Sequence, residues 1–233
     1  MKKHWCVPLL YLVPAGIFSL LVLMENNLSI ASVIGIVAFI MVFVSGMSGK
    51  QSIFLIILGI IAGTSAIVTS DYRMDRAISF LDPWKYAGKE GYQLIHSLYA
   101  LGTGGLFGVG LGNSKQKALY MPEPHNDFIF SIIGEELGLI GCLVIIGLFL
   151  IFIWRGIKIA MTAKDTYGKL LAVGITSIIA VQAIINIAVV TGSMPVTGVP
   201  MPFISYGGTS LVINLTAMGI LLNISRQVER KID

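Results

Sequence analysis

The residues best suited to chemistry lie between Gly102 and Glu135. Ser114 and Lys117 match the S-x-x-K pattern of serine nucleophiles, but four-residue patterns recur by chance and the chain has no soluble domain for such a site. Asp127 follows a proline-containing turn and stands at the predicted start of an apolar helix. An aspartate there is either a helix cap or a functional acid, and both interpretations stay open at this level.

The predicted helix after Asp127 carries a second acid, Glu135. At spacings of three and four residues, small and polar side chains form one stripe: Asp127, Ser131, Gly134, Glu135, Gly138 and Gly141. Glu135 would lie about 12 Å from Asp127 along this helix. An unpaired acid at the bilayer centre costs on the order of 3 kcal/mol or more, so Glu135 should face the bundle interior or a wet cavity. It either hydrogen-bonds to a neighbouring helix or takes part in function.

Other polar residues near this stripe need partners of their own. Glu136 points about 100° away from Glu135 and requires a separate partner. Gln182 and Asn186, four residues apart in a later apolar stretch, are expected mainly to hydrogen-bond between helices.

A glycine-rich segment precedes these acids. Residues Gly102 to Gly112 read GTGGLFGVGLG, with six glycines in eleven residues. The segment lacks the strand before it and the helix after it that a dinucleotide-binding fingerprint requires. It is either a flexible or re-entrant loop, or a backbone that lets a ligand approach closely because glycine has no Cβ.

The composition requires a membrane environment. Of the 233 residues, 55% are apolar and only 12% are charged, and the mean hydropathy is +0.85. A soluble domain carries about twice that charged fraction. Disordered, nucleic-acid-binding and ordinary cytosolic proteins are therefore excluded, and the net charge of +4 is better explained by membrane topology.

The elements that must position these residues are six predicted transmembrane helices in an all-α, polytopic membrane protein. Their ranges are Val7 to Met24, Leu28 to Met47, Ser52 to Thr69, Phe128 to Trp154, Leu170 to Val190 and Leu211 to Ile224. We expect one transmembrane domain over residues 1–233, with a large extracytoplasmic loop at 70–127 and a second at 191–210. Irregular backbone so close to the membrane must be buried in protein or line a cavity, so both loops should form one outer cavity.

The positive charges set the orientation. If residue 1 lies inside, ten of the sixteen Lys and Arg residues fall on the cytoplasmic side, and the other six fall in the single long loop. Both termini are then expected to be cytoplasmic, and both long loops face outward.

Three segments resemble the SEDS family, which includes RodA, FtsW and SpoVE. They are FLDPW at Phe80 to Trp84, GGLFGVGLGNSKQKALYMPEPHNDFIFSIIGEELGLIG at Gly104 to Gly141, and SMPVTGVPMPFISYGGTS at Ser193 to Ser210. The middle segment is more similar to the FtsW and SpoVE branches than to RodA. Members usually have ten spans, and the chain is expected to correspond to the last six.

The resemblance implies an inverting peptidoglycan glycosyltransferase of the bacterial plasma membrane, acting in division, sporulation or elongation. Its substrate would be lipid II, a disaccharide-pentapeptide on undecaprenyl diphosphate, and its partner a class B penicillin-binding protein. The family's essential aspartate falls on Asp127. One general base suffices, because a diphosphate leaves without protonation.

The resemblance also suggests how other residues would serve this site. Charge on the leaving diphosphate calls for cations, and Arg73, Arg76, Lys115 and Lys117 are available in the same loop. The expected substrate-binding residues are Lys115, Lys117, Glu123, His125, Ser205, Tyr206 and Gly207. No cofactor or metal ligand set is predicted, although a divalent cation on the diphosphate stays open.

Two alternative functions stay open. A transporter moving lipid II across the bilayer would depend on mid-membrane Glu135 and Gln182. An inactive membrane scaffold would keep only the contact with the penicillin-binding protein. Catalysis, in contrast, would concentrate sensitivity to mutation at the outer loops.

Overall fold

The computed structural model describes residues 6–121 and 125–229, and every regular element in these ranges is a helix. In chain order they are α1 (Cys6–Met24), α2 (Leu28–Val44), α3 (Gly49–Val68), α4 (Asp71–Leu81), a 3-10 helix (Pro83–Tyr86), α5 (Tyr92–Gly104), α6 (Lys115–Leu119), α7 (Ile129–Thr162), α8 (Thr166–Val190) and α9 (Gly208–Glu229). The predicted all-α class is confirmed.

Each predicted span corresponds to one helix of the structure. Four of these helices, α3, α7, α8 and α9, are long and apolar enough to cross a membrane. The described parts of α1 and α2 form shorter apolar helices, Leu10–Met24 and Leu28–Val44. The count of six spans therefore stays a prediction, and so does the single domain over residues 1–233.

Helix α7 continues eight residues beyond the predicted end at Trp154. The predicted connection contains Arg155 and Lys158, yet both lie inside the helix, which ends at Thr162. Their charged groups lie 5.1 and 5.9 Å from the centre of the Trp154 ring. Cation–π contacts and long side chains that follow the apolar surface allow the helix to continue past the apolar sequence.

The chain forms two compact units. One comprises residues 1–69, 153–181 and 215–233, and the other comprises residues 70–152 and 182–214. In the first unit, a cavity of about 620 Å³ lies among α1, α2 and α3 and is lined almost entirely by apolar side chains. The second unit contains both long loops predicted from the sequence, and all the candidate site residues belong to it.

The segment predicted as a long loop, 70–127, is largely helical. It contains α4, the 3-10 helix, α5 and α6. Local sequence explains two of these helices: the Asp82 carboxylate accepts a hydrogen bond from Lys85 N–H at the start of the 3-10 helix, and Ser114 Oγ accepts one from Lys117 N–H at the start of α6. The segment therefore presents its residues from short helices, of which the 3-10 helix and α6 begin with side-chain caps.

Helix α7 is broken at Gly138, whose φ is 69° and ψ is −167°. The break releases backbone groups, and the glycine-rich segment binds them. Val109 and Gly110 N–H donate to the carbonyls of Glu135 and Glu136 at 2.9 and 3.0 Å, while Leu139 N–H donates to Gly105 O at 2.9 Å. In a membrane helix, backbone groups freed at a break must find such partners inside the protein.

The glycines of this segment make the approach to α7 possible. A Cβ on Gly108 would overlap the carbonyl of Glu136, and a Cβ on Gly104 would overlap that of Gly134. The glycine-rich segment thus packs its backbone against α7, and a re-entrant path into the membrane stays a prediction. The element that approaches the glycine backbone is α7. Only residues without a Cβ fit at positions 104 and 108 against it.

Candidate functional site

Residues of the segments 70–127 and 191–210 and of helix α8 meet at three consecutive carbonyls. Tyr206 N–H donates to His125 O at 2.9 Å, and Ser205 Oγ donates to Asn126 O at 2.6 Å. The side-chain amide of Asn186 donates to Asp127 O at 2.8 Å. The first two contacts join the segments 70–127 and 191–210, as expected for segments that share a cavity, and all three hold the backbone from His125 to Asp127.

Asn186 also binds the second segment directly. Its amide nitrogen donates a further hydrogen bond to Val199 O at 2.9 Å, and the residue is only 1% exposed. The expectation that Asn186 mainly hydrogen-bonds between helices is wrong, because both carbonyls that it binds lie outside the helices. We refer to these contacts, made by Asn186, Ser205 and Tyr206, as the carbonyl clamp.

The Asp127 side chain has fewer hydrogen-bond partners than the backbone around it. The residue is half-buried, and within the described part of the chain its carboxylate accepts no hydrogen bond. A Cβ built on Gly198 would lie 3.5 Å from Asp127 Oδ2, so the segment 191–210 passes directly beside this carboxylate. Asp127 thus combines a fixed backbone with an available side chain.

Arg76 supplies positive charge to the same place. Its Nη1 donates to Val196 O at 3.3 Å, two residues before Gly198, and its guanidinium lies 4.6 Å from the centre of the Tyr72 ring. Burial raises the pKa of the Asp127 carboxyl, and the positive charge of Arg76 opposes this by lowering it. Asp127 is therefore a stronger base than an ordinary aspartate.

One prediction about Asp127 is wrong. The sequence placed it as the N-cap of the following span, but α7 begins at Ile129, so Phe128 is the residue that precedes the helix. Ser131 N–H donates to the carbonyl of Phe128 at 3.0 Å, as the first turn requires. Although Asp127 lies close to the start of α7, desolvation raises the pKa of its carboxyl.

A pocket of about 430 Å³ lies beside the clamp, lined by His125, Ile129, Phe203, Ile204, Ser205, Tyr206, Gly207, Gly208 and Leu211. Four predicted substrate-binding residues are thus brought together. His125 is exposed and Tyr206 is 82% exposed, so both side chains are available to a ligand. The Ser205 hydroxyl already donates to Asn126 O and accepts from Met201 N–H at 2.7 Å, which commits it to the loop.

The two predicted lysines lie on α6. Lys115 is exposed, whereas Lys117 Nζ lies 3.9 Å from Glu136 Oε1. Glu136 therefore finds the separate partner that the sequence required. Since this ion pair engages Lys117, Arg76 is the cation that the structure places with Asp127.

Glu135 is occupied by structure. It is 2% exposed, and its carboxylate accepts hydrogen bonds from the Ser114 hydroxyl, from Lys115 N–H at 3.1 Å and from Gln116 N–H at 3.4 Å. Glu135 thereby caps α6 and ties it to α7. Of its two open interpretations, the structure supports the hydrogen-bonding one. The S-x-x-K pattern would need the Lys117 amine as a base for the Ser114 hydroxyl. In the described residues, that hydroxyl donates to Glu135 and the Lys117 amine pairs with Glu136, so the pattern is not supported.

Two further expectations concern residues or ions at the site. Glu123 lies outside the described residues. Within the described ranges, no group of three or more His, Cys, Asp or Glu side chains could hold a metal ion. A divalent ion on the diphosphate stays a prediction that these residues do not test.

The model of the FtsW/RodA/SpoVE cell cycle protein family matches residues 1–230. The chain belongs to this family. It is 48% identical over 207 residues to stage V sporulation protein E of Bacillus subtilis, covering 89% of this chain and 57% of that protein. It is 45% identical over 218 residues to the probable peptidoglycan glycosyltransferase FtsW of the same organism, covering 90% and 54%.

Solved structures give the same assignment to the FtsW/RodA/SpoVE family. A chain of a peptidoglycan synthase complex that coordinates polymerization and crosslinking aligns with a TM-score of 0.76 at 26% identity, over 97% of this chain and 63% of that one. Rod shape determining protein RodA of Thermus thermophilus aligns with a TM-score of 0.63 at 26% identity, over 98% and 58%. The chain spans little more than half the length of the curated relatives that it matches.

Family membership and the apolar helices together make the chain a multi-pass membrane protein. Two features of this FtsW/RodA/SpoVE member were missed by sequence reasoning. These are the carbonyl clamp and the break at Gly138. Asn186 was noted as polar, but which loop carbonyls it would meet depends on tertiary structure. Gly138 was assigned to a continuous stripe because helix periodicity does not register a single positive φ.

Proposed function

We propose that the protein is a peptidoglycan glycosyltransferase with Asp127 as the general base. The observation that carries this proposal is the half-buried Asp127 carboxylate, placed beside Arg76 on a backbone held at three consecutive carbonyls. The names of the relatives support the reaction class, since FtsW proteins at 41% to 47% identity are named probable peptidoglycan glycosyltransferases.

In the proposed reaction, an acceptor sugar hydroxyl attacks the anomeric carbon of the donor. A new glycosidic C–O bond forms while the anomeric bond to the diphosphate breaks, and its electron pair leaves with the diphosphate. Asp127 accepts the hydroxyl proton, and a single displacement inverts the anomeric centre. The leaving group needs no proton, because a diphosphate is stable as an anion.

Arg76 is the proposed contact for the developing diphosphate charge. A guanidinium presents several N–H donors in a planar arrangement that matches phosphate oxygens. Lys115 is the second proposed cation, since it is exposed on α6. His125 and Tyr206, exposed at the rim of the adjacent pocket, would contact the sugars of lipid II.

The chain's orientation and partner follow from the same proposal. Lipid II is polymerised outside the cell, so Asp127 and both long segments would lie on the extracytoplasmic side, with both termini cytoplasmic. The alignment with a chain of a complex that combines polymerization and crosslinking supports a transpeptidase partner, which we propose is a class B penicillin-binding protein.

The test is polymerisation of fluorescent lipid II by the purified chain together with its transpeptidase partner. Asp127→Asn should lower the initial rate by about 10²–10⁴-fold, the contribution typical of general-base catalysis. Gln182→Leu is the matched control, because the transport hypothesis depends on Gln182 and the catalytic one does not. We expect this variant to retain polymerisation within about threefold. Undiminished polymer from Asp127→Asn would remove this residue from the mechanism.

Transport is the weaker candidate. It would use a mid-membrane acid, yet the Glu135 carboxylate already accepts three hydrogen bonds from the start of α6. Greater sensitivity of lipid II polymerisation to Gln182→Leu than to Asp127→Asn would favour the transport hypothesis over catalysis.

A further inference from the structure

We infer that Asn186 is a positioning residue that sets the reactive geometry of Asp127, an inference that rests on the proposed function. Among the described residues, the hydrogen bonds of Asn186 reach neither the Asp127 carboxylate nor a side chain that lines the pocket. It acts through backbone, because one amide group donates to Asp127 O at 2.8 Å and to Val199 O at 2.9 Å. One side chain thus joins the residue that carries the base to the segment that passes beside its carboxylate.

The burial of Asn186 makes these two hydrogen bonds consequential. The residue is 1% exposed, so water cannot replace a lost donor, and both carbonyls would remain unsatisfied. Its Oδ1 is buried and without a hydrogen-bond partner among the described residues. Because both N–H donors of the Asn186 amide are used and its acceptor oxygen is not, the role of this side chain is to donate hydrogen bonds.

The geometry also explains why Asn186 affects chemistry and not only packing. Val199 follows Gly198, which lies beside Asp127 Oδ2, and Val196 O accepts from Arg76. Asn186 therefore fixes the distance between Asp127, the proposed base, and the backbone segment that includes Val196 and Val199. Arg76, the proposed diphosphate contact, is hydrogen-bonded to this segment. A displacement of about 1 Å at such a site can cost about a hundredfold in rate.

A matched control exists in the same compact unit. Ser97 is fully buried and donates from its hydroxyl to Val190 O at 2.8 Å, so it makes the same kind of buried bond from side chain to carbonyl. Ser97 lies in α5, and this hydrogen bond reaches the end of α8, not residues 125–127 or the segment 191–210. Ser97→Ala should lower thermal stability much as a change at Asn186 does, while leaving the Asp127 geometry intact.

The test measures exchange and kinetics in the full chain with its partner. Asn186→Leu keeps the number and branching of the side-chain heavy atoms and removes both donors. We expect faster hydrogen–deuterium exchange in residues 125–131 and 199–206, and a kcat lower by about 10- to 100-fold with KM within about threefold. Asn186→Ser, which keeps one donor and is the milder change, should be intermediate. Ser97→Ala should leave kcat within about twofold.

Several outcomes overturn the inference. They are unchanged exchange in Asn186→Leu and Asn186→Ser, faster exchange with unchanged kcat, or an equal loss of kcat in Ser97→Ala. Exchange needs no activity, and Asp127→Asn should leave it unchanged because the clamp holds the carbonyl of Asp127 and not its side chain. If the wild-type chain is inactive while its 125–131 segment is protected from exchange, the proposed function is contradicted, and the positioning role with it. If the wild type is active and Asn186→Leu is equally active, only the Asn186 inference is contradicted.

Discussion

Asp127 and Glu135 are eight residues apart in sequence and serve opposite purposes. Glu135 is almost fully buried, and its carboxylate accepts from a hydroxyl and two backbone amides of α6. Asp127 is half-buried, and among described residues only its carbonyl is bonded. A carboxylate whose acceptor positions are filled stabilises structure, whereas one whose backbone is held and whose oxygens are available can take up a proton.

The comparison shows how the chain separates stability from reactivity. Hydrogen bonds to the Glu135 carboxylate hold α6 against α7, while burial raises the pKa of Asp127 and makes its charged form less stable in the fold. At neutral pH, replacement of Asp127 by a neutral residue should therefore cost no stability. The burial that makes Asp127 a stronger base thus lowers the stability of the folded state at neutral pH.

The largest effect on stability should come from Glu135→Ala. The Ser114 hydroxyl and two amides of α6 would lose their acceptor, which should lower the free energy of unfolding by about 3 kcal/mol. Thermal unfolding in detergent measures this change, with Glu135→Gln expected to be intermediate and Asp127→Asn expected to unfold no earlier than wild type. A larger loss in Asp127→Asn than in Glu135→Ala would reverse the comparison.

The glycine-rich segment behind Glu135 gives the next effect. A methyl group at Gly108 would overlap the carbonyl of Glu136, in a backbone with φ of +79°. Gly112 has the same φ, but a Cβ there would have no atom within 4 Å, so Gly112→Ala is a control for backbone strain alone. We expect Gly108→Ala to cost about 2 kcal/mol more than Gly112→Ala in the same unfolding measurement. Equal losses would show that close packing onto α7 is unimportant.

The smallest of these effects concerns the cations. Arg76→Gln should lower the polymerisation rate about tenfold, equivalent to about 1.4 kcal/mol, since it removes positive charge beside Asp127 and the proposed diphosphate. Lys117→Gln should change the rate by less than about threefold, because Lys117 is paired with Glu136 at 3.9 Å. A greater loss in Lys117→Gln would move the diphosphate contact to α6.

Much of the fold could be predicted from the sequence. Long apolar windows marked the spans, because nothing but a helix satisfies its own backbone in lipid. Trp154 was placed as an end because a hydropathy window stops at Arg155 and Lys158, and the contacts of these cations with the Trp154 ring were not visible to it.

The site was predicted only as far as local sequence allows. His125, Asp127, Ser205, Tyr206 and Gly207 were expected to share a cavity, and the structure brings their segments together. The roles within that cavity depend on which atom meets which: Ser205 uses its hydroxyl for the backbone, and Tyr206 bonds through its N–H while its ring stays exposed. Residue type and spacing do not specify such contacts.

The most direct test of the central claim is the pH dependence of kcat/KM for lipid II polymerisation in wild type and Arg76→Gln. Burial raises the pKa of Asp127 and Arg76 partly offsets it, and the base must be ionised to act. Activity should therefore fall as the pH drops through a value above that of an ordinary aspartate, and this acidic limb should move to higher pH in Arg76→Gln. An acidic limb at or below the ordinary aspartate value, unmoved by Arg76→Gln, would contradict Asp127 as the base beside Arg76.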